Sequence, residues 1–407
     1  MNKPITPLQR NGARGSNRDL VRQHNLSVLL QMIHLNGTVS RSSLTSATGL
    51  NRSTISDLVS ELEQLGFVTE TETESPSGVG RPSLMVSASS KVVAFSVHPE
   101  VDATTVGAVT LSGKVLFSER VLMAKHPTAS DSVQAAAKAI EHMRTQLDKD
   151  QLIAGVGVAI PGQVRVEDNV VRLAPQLGWV EQPYGSMLSQ ATGLPVFVDN
   201  DASIGCMAES NFGAGRGYSE MVFLFAGSGG IGGGAIINGM QLRGASGYGG
   251  ELGHVRIGEG NTKDYSGLSG TLESLVRRDD LLQAFKMFAA TDEELDMDIR
   301  GNKSPKIQKM IETQIDALGN GIASYVNIFN PEVIVLAGFL TSLLSYDENR
   351  LLARIREGAL NASSERVVVR PAELGANLLM IGAAELPFHR ILESPAETKL
   401  LPARKKR

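Results

Sequence analysis

The stretch that decides the fold runs Glu251-Leu-Gly-His254 and continues, after a short gap, as Asp264-Tyr-Ser-Gly-Leu-Ser-Gly-Thr271-Leu-Glu273. It places carboxylates, a histidine and hydroxyl groups around two glycines, Gly267 and Gly270. The chain contains a single cysteine, Cys206, so a zinc site of three cysteines and one histidine cannot form in it.

The segment resembles the ROK family (repressors, open reading frames and sugar kinases), whose usual form is Gly-His followed by Cys-x-Cys-Gly-x-x-Gly-Cys-x-Glu. Asp264, Ser266 and Thr271 stand at the three cysteine positions. The resemblance covers residues 18–390 and implies a sugar pocket that has lost its zinc, so we expect no metal and no other cofactor. It also implies a softer loop at 256–270, unless Asp264 or Thr271 forms hydrogen bonds across it.

Length and composition are those of an ordinary globular protein of two or three domains, with 407 residues, 42% hydrophobic and 20% charged. Residues 1–56 carry seven basic side chains against a single acid, Asp19, which favours a nucleic-acid contact at that end. One cysteine indicates a reducing compartment. The first residues lack the apolar core of a signal peptide, and no apolar stretch is long enough to span a bilayer, so we expect a cytoplasmic location without membrane contact.

Residues 18–88 predict a winged helix-turn-helix. An apolar stripe predicts a first helix that ends at Asn36-Gly37. Ser40 and Asn51 are placed to cap two further helices, joined by the tight turn Thr48-Gly49-Leu50. The positions expected to be buried are Leu26, Leu29, Leu30, Ile33, Leu44, Ala47, Ile55, Leu58, Val59, Leu62 and Leu65.

The last of these helices would lie in the major groove with its N-terminal residues on base edges. Arg52 can bind guanine in bidentate fashion, and Asp57 can accept from cytosine. Arg41 and Ser42 are placed for phosphate contact. A three-helix bundle without a DNA role is the alternative. The residues expected at DNA from these helices are Arg41, Ser42, Asn51, Arg52, Ser53, Thr54, Ser56 and Asp57.

A β-hairpin wing is predicted between Gly66-Phe-Val-Thr and Leu84-Met-Val. Gly80-Arg81-Pro82 within it has two interpretations: Arg81 enters a narrow minor groove, or the tripeptide is a plain turn that ends the wing. The acids Glu70, Glu72 and Glu74 are expected to face away from DNA.

From Lys91 the pattern changes to three strands, a helix and a further strand, which is how the actin-like, ribonuclease-H-like ATPase fold begins. The fold class is thus α/β, with a two-lobed body after the winged helix-turn-helix. We expect a disordered basic arm at 1–17, the DNA-binding domain at 18–88, the body at 89–395 and a basic tail at 396–407. The main predicted elements of the body are strands at 92–97, 104–110, 114–122, 153–160, 221–225, 232–237 and 333–336, and helices at 132–147, 306–329 and 381–392.

The ATP side of this fold is poorly suited to a nucleotide. Where ROK kinases have Asp-x-Gly-Gly-Thr, the chain has His98-Pro-Glu100, and a carboxylate beside a triphosphate is repulsive. Phe339 stands where kinases prefer glycine. The glycine-rich turn Gly227–Gly234 is better kept.

The sugar side implied by the resemblance is largely present. Family pockets use an Asn-Asp pair, the Glu and His of Glu-x-Gly-His, and the Glu after the last cysteine. The family's Ala-Pro-Asn-Leu-x-Trp segment has Gln176 at its asparagine. The residues implied in sugar binding are Gln176, Asn200, Asp201, Glu251, His254 and Glu273.

Three hypotheses follow. The first is a transcription regulator, not an enzyme, that binds a double-stranded operator and responds to a sugar or phosphosugar. It would be a homodimer or homotetramer, because half-sites match a two-fold axis, and family habit favours repression relieved by ligand. The second is a sugar kinase with an appended DNA-binding module. The third is a regulator that has lost its ligand response.

Overall fold

The structure is a computed structural model that describes residues 18–72, 84–123, 126–227, 229–287 and 290–403. The chain divides into two compact units. The first contains the residues up to Ser89 together with His389–Lys399, and the second contains Ser90–Phe388 with the residues from Leu400 onward. Among the described helices, not one combines the length and the hydropathy that a bilayer span requires.

The first unit has the predicted helix-turn-helix with a hairpin. Ser40 and Asn51 cap the second and third helices, and Gly49 between them adopts a φ of 70°, a conformation that glycine favours. Ala47, expected in the core, is exposed, and Leu65 is half-buried. The elements are α1 (Arg18–Asn36), β1 (Val39–Ser40), α2 (Arg41–Thr48), α3 (Arg52–Gln64), β2 (Val68–Glu72) and β3 (Leu84–Ala88).

The first lobe of the second unit is built on one mixed sheet. Its strand order is β11-β7-β4-β5-β6, with antiparallel pairing among β4, β5 and β6 and parallel pairing of β4 with β7 and of β7 with β11. A small second sheet has the order β10-β9-β8. The elements are β4 (Val92–Pro99), β5 (Ala103–Thr110), β6 (Val115–Leu122), α4 (Ala129–Gln146), β7 (Leu152–Ile160), β8 (Gln163–Arg165), β9 (Val170–Ala174), β10 (Trp179–Gln182), α5 (Tyr184–Thr192) and β11 (Val196–Asn200).

The second lobe has a five-stranded sheet of order β14-β13-β12-β15-β16, packed against the long helix α10. This two-lobed arrangement is the actin-like fold predicted from the sequence. The elements are α6 (Asp201–Phe212), β12 (Met221–Gly227), β13 (Gly230–Ile237), β14 (Met240–Gln241), α7 (Leu272–Leu275), α8 (Arg278–Phe285), α9 (Asp292–Gly301), α10 (Pro305–Phe329), β15 (Val333–Gly338), α11 (Leu340–Tyr346), α12 (Glu348–Gly358), α13 (Asn361–Ser364) and β16 (Val368–Pro371). The chain then continues through α14 (Leu378–Glu393) to β17 (Leu401–Pro402), which joins the sheet of the first lobe.

The sequence predicted that the body ends at residue 395 and that a basic tail begins at residue 396. The structure divides the C-terminal segment differently. Residues 389–399 belong to the first unit, and the chain then forms β17 against the start of β7. Because β11 begins only opposite Val156, the first residues of β7 have an open edge for this strand. Ala403 is buried and donates its N–H to the carbonyl of Gln151 at 3.1 Å. Residues 1–17 and 404–407 lie outside the described residues.

Candidate functional site

The surface predicted to bind DNA is the first turn of α3. The Asn51 carboxamide oxygen accepts the N–H of Thr54 at 2.8 Å, which caps the helix and sets its direction. The opposite face of α3 is buried in the core of the first unit, which we call the head. Asn51, Arg52, Ser53 and Asp57 are exposed, whereas Thr54 and Ser56 are half-buried.

Arg41 is half-buried, and its guanidinium pairs with groups of the protein itself. Its guanidinium forms an ion pair with Glu70 of β2, donating from Nη2 to Oε2 at 2.6 Å. It also donates from Nη1 to Ser56 Oγ at 2.8 Å. Arg41 therefore joins α2, α3 and β2, and its charge is balanced by Glu70. Ser42 is exposed beside it, as a phosphate contact requires.

The wing is present as a pair of strands. β2 and β3 are antiparallel, from Val68 opposite Ala88 to Glu72 opposite Leu84. Gly80, Arg81 and Pro82 lie outside the described residues, so their role stays a prediction.

All six residues predicted to bind sugar line one cavity of about 410 Å³ in the body. They come from segments far apart in the chain: the turn after β9, the junction of β11 and α6, and the segment around His254 and Glu273. The Nε2 atom of Gln176 is buried and has no hydrogen-bond partner among the described residues. Gln176 thus adds an amide group to a cavity that is also lined by several carboxylates.

Asn200 and Asp201 have different roles in the structure. Asn200 caps α6, accepting the N–H of Ser203 at 2.9 Å and donating to the carbonyl of Gly162 at 3.0 Å, so its amide already has protein partners. Asp201 is buried and accepts the N–H of Ala202 on Oδ1 at 2.8 Å. Burial raises the pKa of Asp201 to about 6.

Asp264 holds together the loop that lacks cysteines. Its carboxylate is fully buried and accepts the backbone N–H groups of Ser266 at 3.0 Å and Leu268 at 2.8 Å, and the hydroxyl of Thr271 at 2.9 Å. Burial alone would raise the pKa of Asp264, but hydrogen bonds, including one from His254, outweigh it and hold that pKa below its ordinary value. The cross-loop bonds considered from the sequence are present.

His254 is oriented by the same carboxylate. Its Nδ1 lies 3.0 Å from Asp264 Oδ2, and because an ionised carboxylate can only accept, Nδ1 carries the proton. The other ring nitrogen, Nε2, lies 4.0 Å from Glu251 Oε2. His254 and Glu251 therefore form one polar wall of the cavity.

Glu273 joins the glycine-rich turn to this loop. Its Oε2 accepts the N–H of Ile231 at 2.7 Å, and its Oε1 accepts the N–H of Tyr265 at 3.0 Å. Burial raises the pKa of Glu273. The side chain thus holds two backbone segments at the cavity wall.

An ion-pair network lines the side of the cleft where a kinase would bind phosphate. The guanidinium of Arg120 donates to Glu100 at 2.9 Å and to Asp102 at 2.8 Å, and the hydroxyl of Thr105 donates to Glu100 at 2.6 Å. Phe339, expected near an adenosine site, packs in the core of the second lobe with 1% of its surface exposed.

Two cavity residues were missed by the sequence analysis. Gln163 donates from Nε2 to Glu251 Oε1 at 3.5 Å, and Tyr265 lines the same cavity. Gln163 could have been found, because it follows Pro161-Gly162 at the carboxyl end of β7, where ligands of α/β sheets bind. Tyr265 carries no such signal.

A winged helix-turn-helix joined to a two-lobed body of sugar-kinase type, with polar residues in its cleft, defines the class of sugar-kinase-like transcription regulators. The chain belongs to the ROK family, because the model of that family matches residues 97–389.

The similar proteins include regulators over nearly the whole length and kinases over less of it. The xylose repressor of Caldicellulosiruptor bescii is 26% identical over 395 residues, covering 93% of this chain and 99% of the relative. A crystal structure of a ROK family transcriptional regulator, a homologue of the Escherichia coli Mlc protein, has a TM-score of 0.74 and 24% identity, covering 92% and 97% of the two chains. The glucokinase of Thermotoga maritima is 29% identical over 251 residues, 58% of this chain and 78% of the relative.

The zinc implied by the family does not fit the groups present. His254, Asp264 and Glu273 bring potential ligand atoms within 4.8 Å of one another. However, the carboxylate oxygens already accept N–H and O–H donors, and the His254 nitrogen nearest to Asp264 carries a proton. Ser266 and Thr271 offer neutral hydroxyl groups where zinc prefers thiolates.

Proposed function

We propose that the protein is a cytoplasmic transcriptional repressor that binds a double-stranded operator through its winged helix-turn-helix and is released by a sugar or phosphosugar bound in the body. The observation that carries this proposal is the convergence of all six pocket residues on one cavity, in a chain whose other unit is a DNA-binding fold. A homodimer or homotetramer would present two such heads to a two-fold operator.

The DNA contacts are assigned to the exposed N-terminal half of α3 and to the start of α2. Arg52 and Asp57 contact base edges, and Ser42 and Ser53 contact phosphates of the DNA backbone. Arg41 acts by holding α2 against β2, and Arg81 remains a candidate for the minor groove.

The test is selection of bound fragments from random duplex DNA, followed by fluorescence anisotropy on the selected operator. Arg52→Ala weakens binding by about 1–3 kcal/mol and relaxes the preference at one base pair. Arg366→Ala is the matched control, because Arg366 is an exposed arginine of the body and its loss changes net charge equally. Equal affinity of the Arg52 variant and wild type for the selected operator would contradict the proposal.

A kinase is the second candidate, because 251 residues of the chain align with the glucokinase of Thermotoga maritima at 29% identity, and the family resemblance places Asp201 where the sugar kinases have their catalytic base. A coupled assay for ADP release over a sugar panel separates the two functions, and we expect no turnover. A thermal-shift screen tests for lost ligand response: a bound sugar at 100 times its Kd adds about 2.7 kcal/mol of stability.

A further inference from the structure

The charges around the cavity are unbalanced. Three carboxylates line it, those of Asp201, Glu251 and Glu273. Among the described lining residues there is no lysine or arginine, and the one histidine, His254, is turned by its Nδ1 proton toward Asp264. Ligand recognition here depends on these acceptors and on neutral polar groups such as the amides of Gln163 and Gln176.

The excess of acidic side chains extends into the adjoining space. A smaller cavity that shares Asp201 and Gln176 with the first adds Glu100 and His98. His98 uses its Nδ1 to donate to the carbonyl of Ala159 at 2.9 Å. Beyond it lies a cavity of about 420 Å³ that His98 also lines. Its described lining contains no lysine, and its one arginine, Arg120, donates hydrogen bonds to two carboxylates.

Backbone amides are the other usual ligands of phosphate, and three of those in this cleft already donate within the protein. At the start of α6 the N–H groups of Ala202 and Ser203 donate to Asp201 and Asn200. In the glycine-rich turn the N–H of Ile231 donates to Glu273. A phosphate group in this cleft would meet carboxylates and find these donors already occupied.

Resting on the proposed function, we infer that the effector is an uncharged sugar and that sugar phosphates are excluded. Hydroxyl groups both donate and accept, so they match a wall of carboxylates and side-chain amides. A phosphate dianion is repelled by the same carboxylates, since it brings no proton to share and meets no lysine or arginine among the described residues that line the cavity.

The test is calorimetric titration of the full-length protein with D-glucose, D-xylose and N-acetyl-D-glucosamine, and with glucose 1-phosphate, glucose 6-phosphate and N-acetylglucosamine 6-phosphate. We expect each sugar that binds to do so at least about tenfold more tightly than its phosphate. A phosphate that binds more tightly than its parent sugar overturns the inference but leaves the sugar-responsive repressor intact. If neither group binds while the operator is still bound, the proposed sugar response itself fails.

A second measurement uses Glu100→Gln, which removes one repulsive charge and loosens Arg120. We expect the ratio of sugar affinity to phosphate affinity to fall several-fold, by about 1 kcal/mol or less. Glu119→Gln, an exposed carboxyl on β6, is the matched control and leaves the ratio unchanged. An unchanged ratio in the Glu100 variant would show that charge does not set the preference.

Discussion

Asp201 carries an electrostatic cost because it is buried at the cavity with Glu251 nearby. Its pKa is 3.8 in an ordinary environment and about 6 in the fold. Between these pH values the folded state holds a proton that the unfolded state has released. Stability therefore falls as the pH rises through this window, by about 3 kcal/mol at most.

Asp201→Asn should raise the melting temperature at pH 7.5 and reduce the loss of stability between pH 4 and 6, because the buried charge is gone. Denaturant unfolding at a series of pH values measures this. Glu365→Gln, which alters an exposed carboxyl, keeps the wild-type profile. An Asn variant with the full wild-type slope would show that other groups cause it.

At the residue scale, Asp264 holds its loop together, since it receives four hydrogen bonds. Asp264→Ala leaves buried donors unpaired and should cost about 3 kcal/mol. Hydrogen exchange of amides 256–270 should speed up, and sugar affinity should fall because His254 loses its orientation. Asp264→Asn keeps an acceptor oxygen and gives an intermediate effect. Unaltered exchange in the alanine variant would refute this role.

At the element scale, the head depends on a contact between pieces that sequence patterns treat separately. The ion pair of Arg41 with Glu70 joins the start of α2 to the wing strand β2, and Ser56 attaches α3 to the same guanidinium. The position of α3 relative to the wing, and thus the surface offered to DNA, is set by this group.

Arg41→Gln should lower the stability of the head by about 1–2 kcal/mol, because a partly buried charged hydrogen bond is lost. The slope of log affinity against log salt should stay at the wild-type value, since a positioning residue releases no counterion from DNA. Anisotropy over a salt series measures the slope. A slope smaller by about one unit would mean instead that Arg41 contacts a phosphate.

At the scale of the whole molecule, the first unit is not a simple N-terminal domain. Residues 389–399 belong to it, and the carbonyl of Leu392 accepts the hydroxyl of Ser27 at 2.7 Å and the amide of Gln31 at 3.4 Å. Two segments separated by the entire body therefore complete one compact unit.

A fragment of residues 1–89 should be less stable than the same head within the full chain, because α1 loses its partner segment. Thermal unfolding of the fragment, compared with hydrogen exchange of α1 in the full chain, tests this. Ser27→Ala with Gln31→Ala in the full chain should raise exchange in α1 and leave the body unchanged. A fragment as well protected as the intact head would rule out a role for 389–399.

Much of the fold follows from patterns that act over a few residues. Caps at Ser40 and Asn51, the glycine turn at Gly49 and the apolar periodicities place the elements correctly, because they depend on neighbours along the chain. The family resemblance likewise led to six residues that all lie in the lining of one cavity.

The sequence by itself determined the helices of the helix-turn-helix, the main elements of the body, the motif and the absence of a three-cysteine metal site. Only the tertiary structure decided that Arg41 pairs with Glu70 and that Asp264 accepts the hydrogen bonds of its loop. It also decided that residues 389–399 belong to the first unit, whereas β17 pairs with β7 in the body. These contacts join residues whose separation along the chain is large or whose side chains could have faced elsewhere. Their choice depends on which surfaces meet when elements pack, and periodicity and capping contain no information about that.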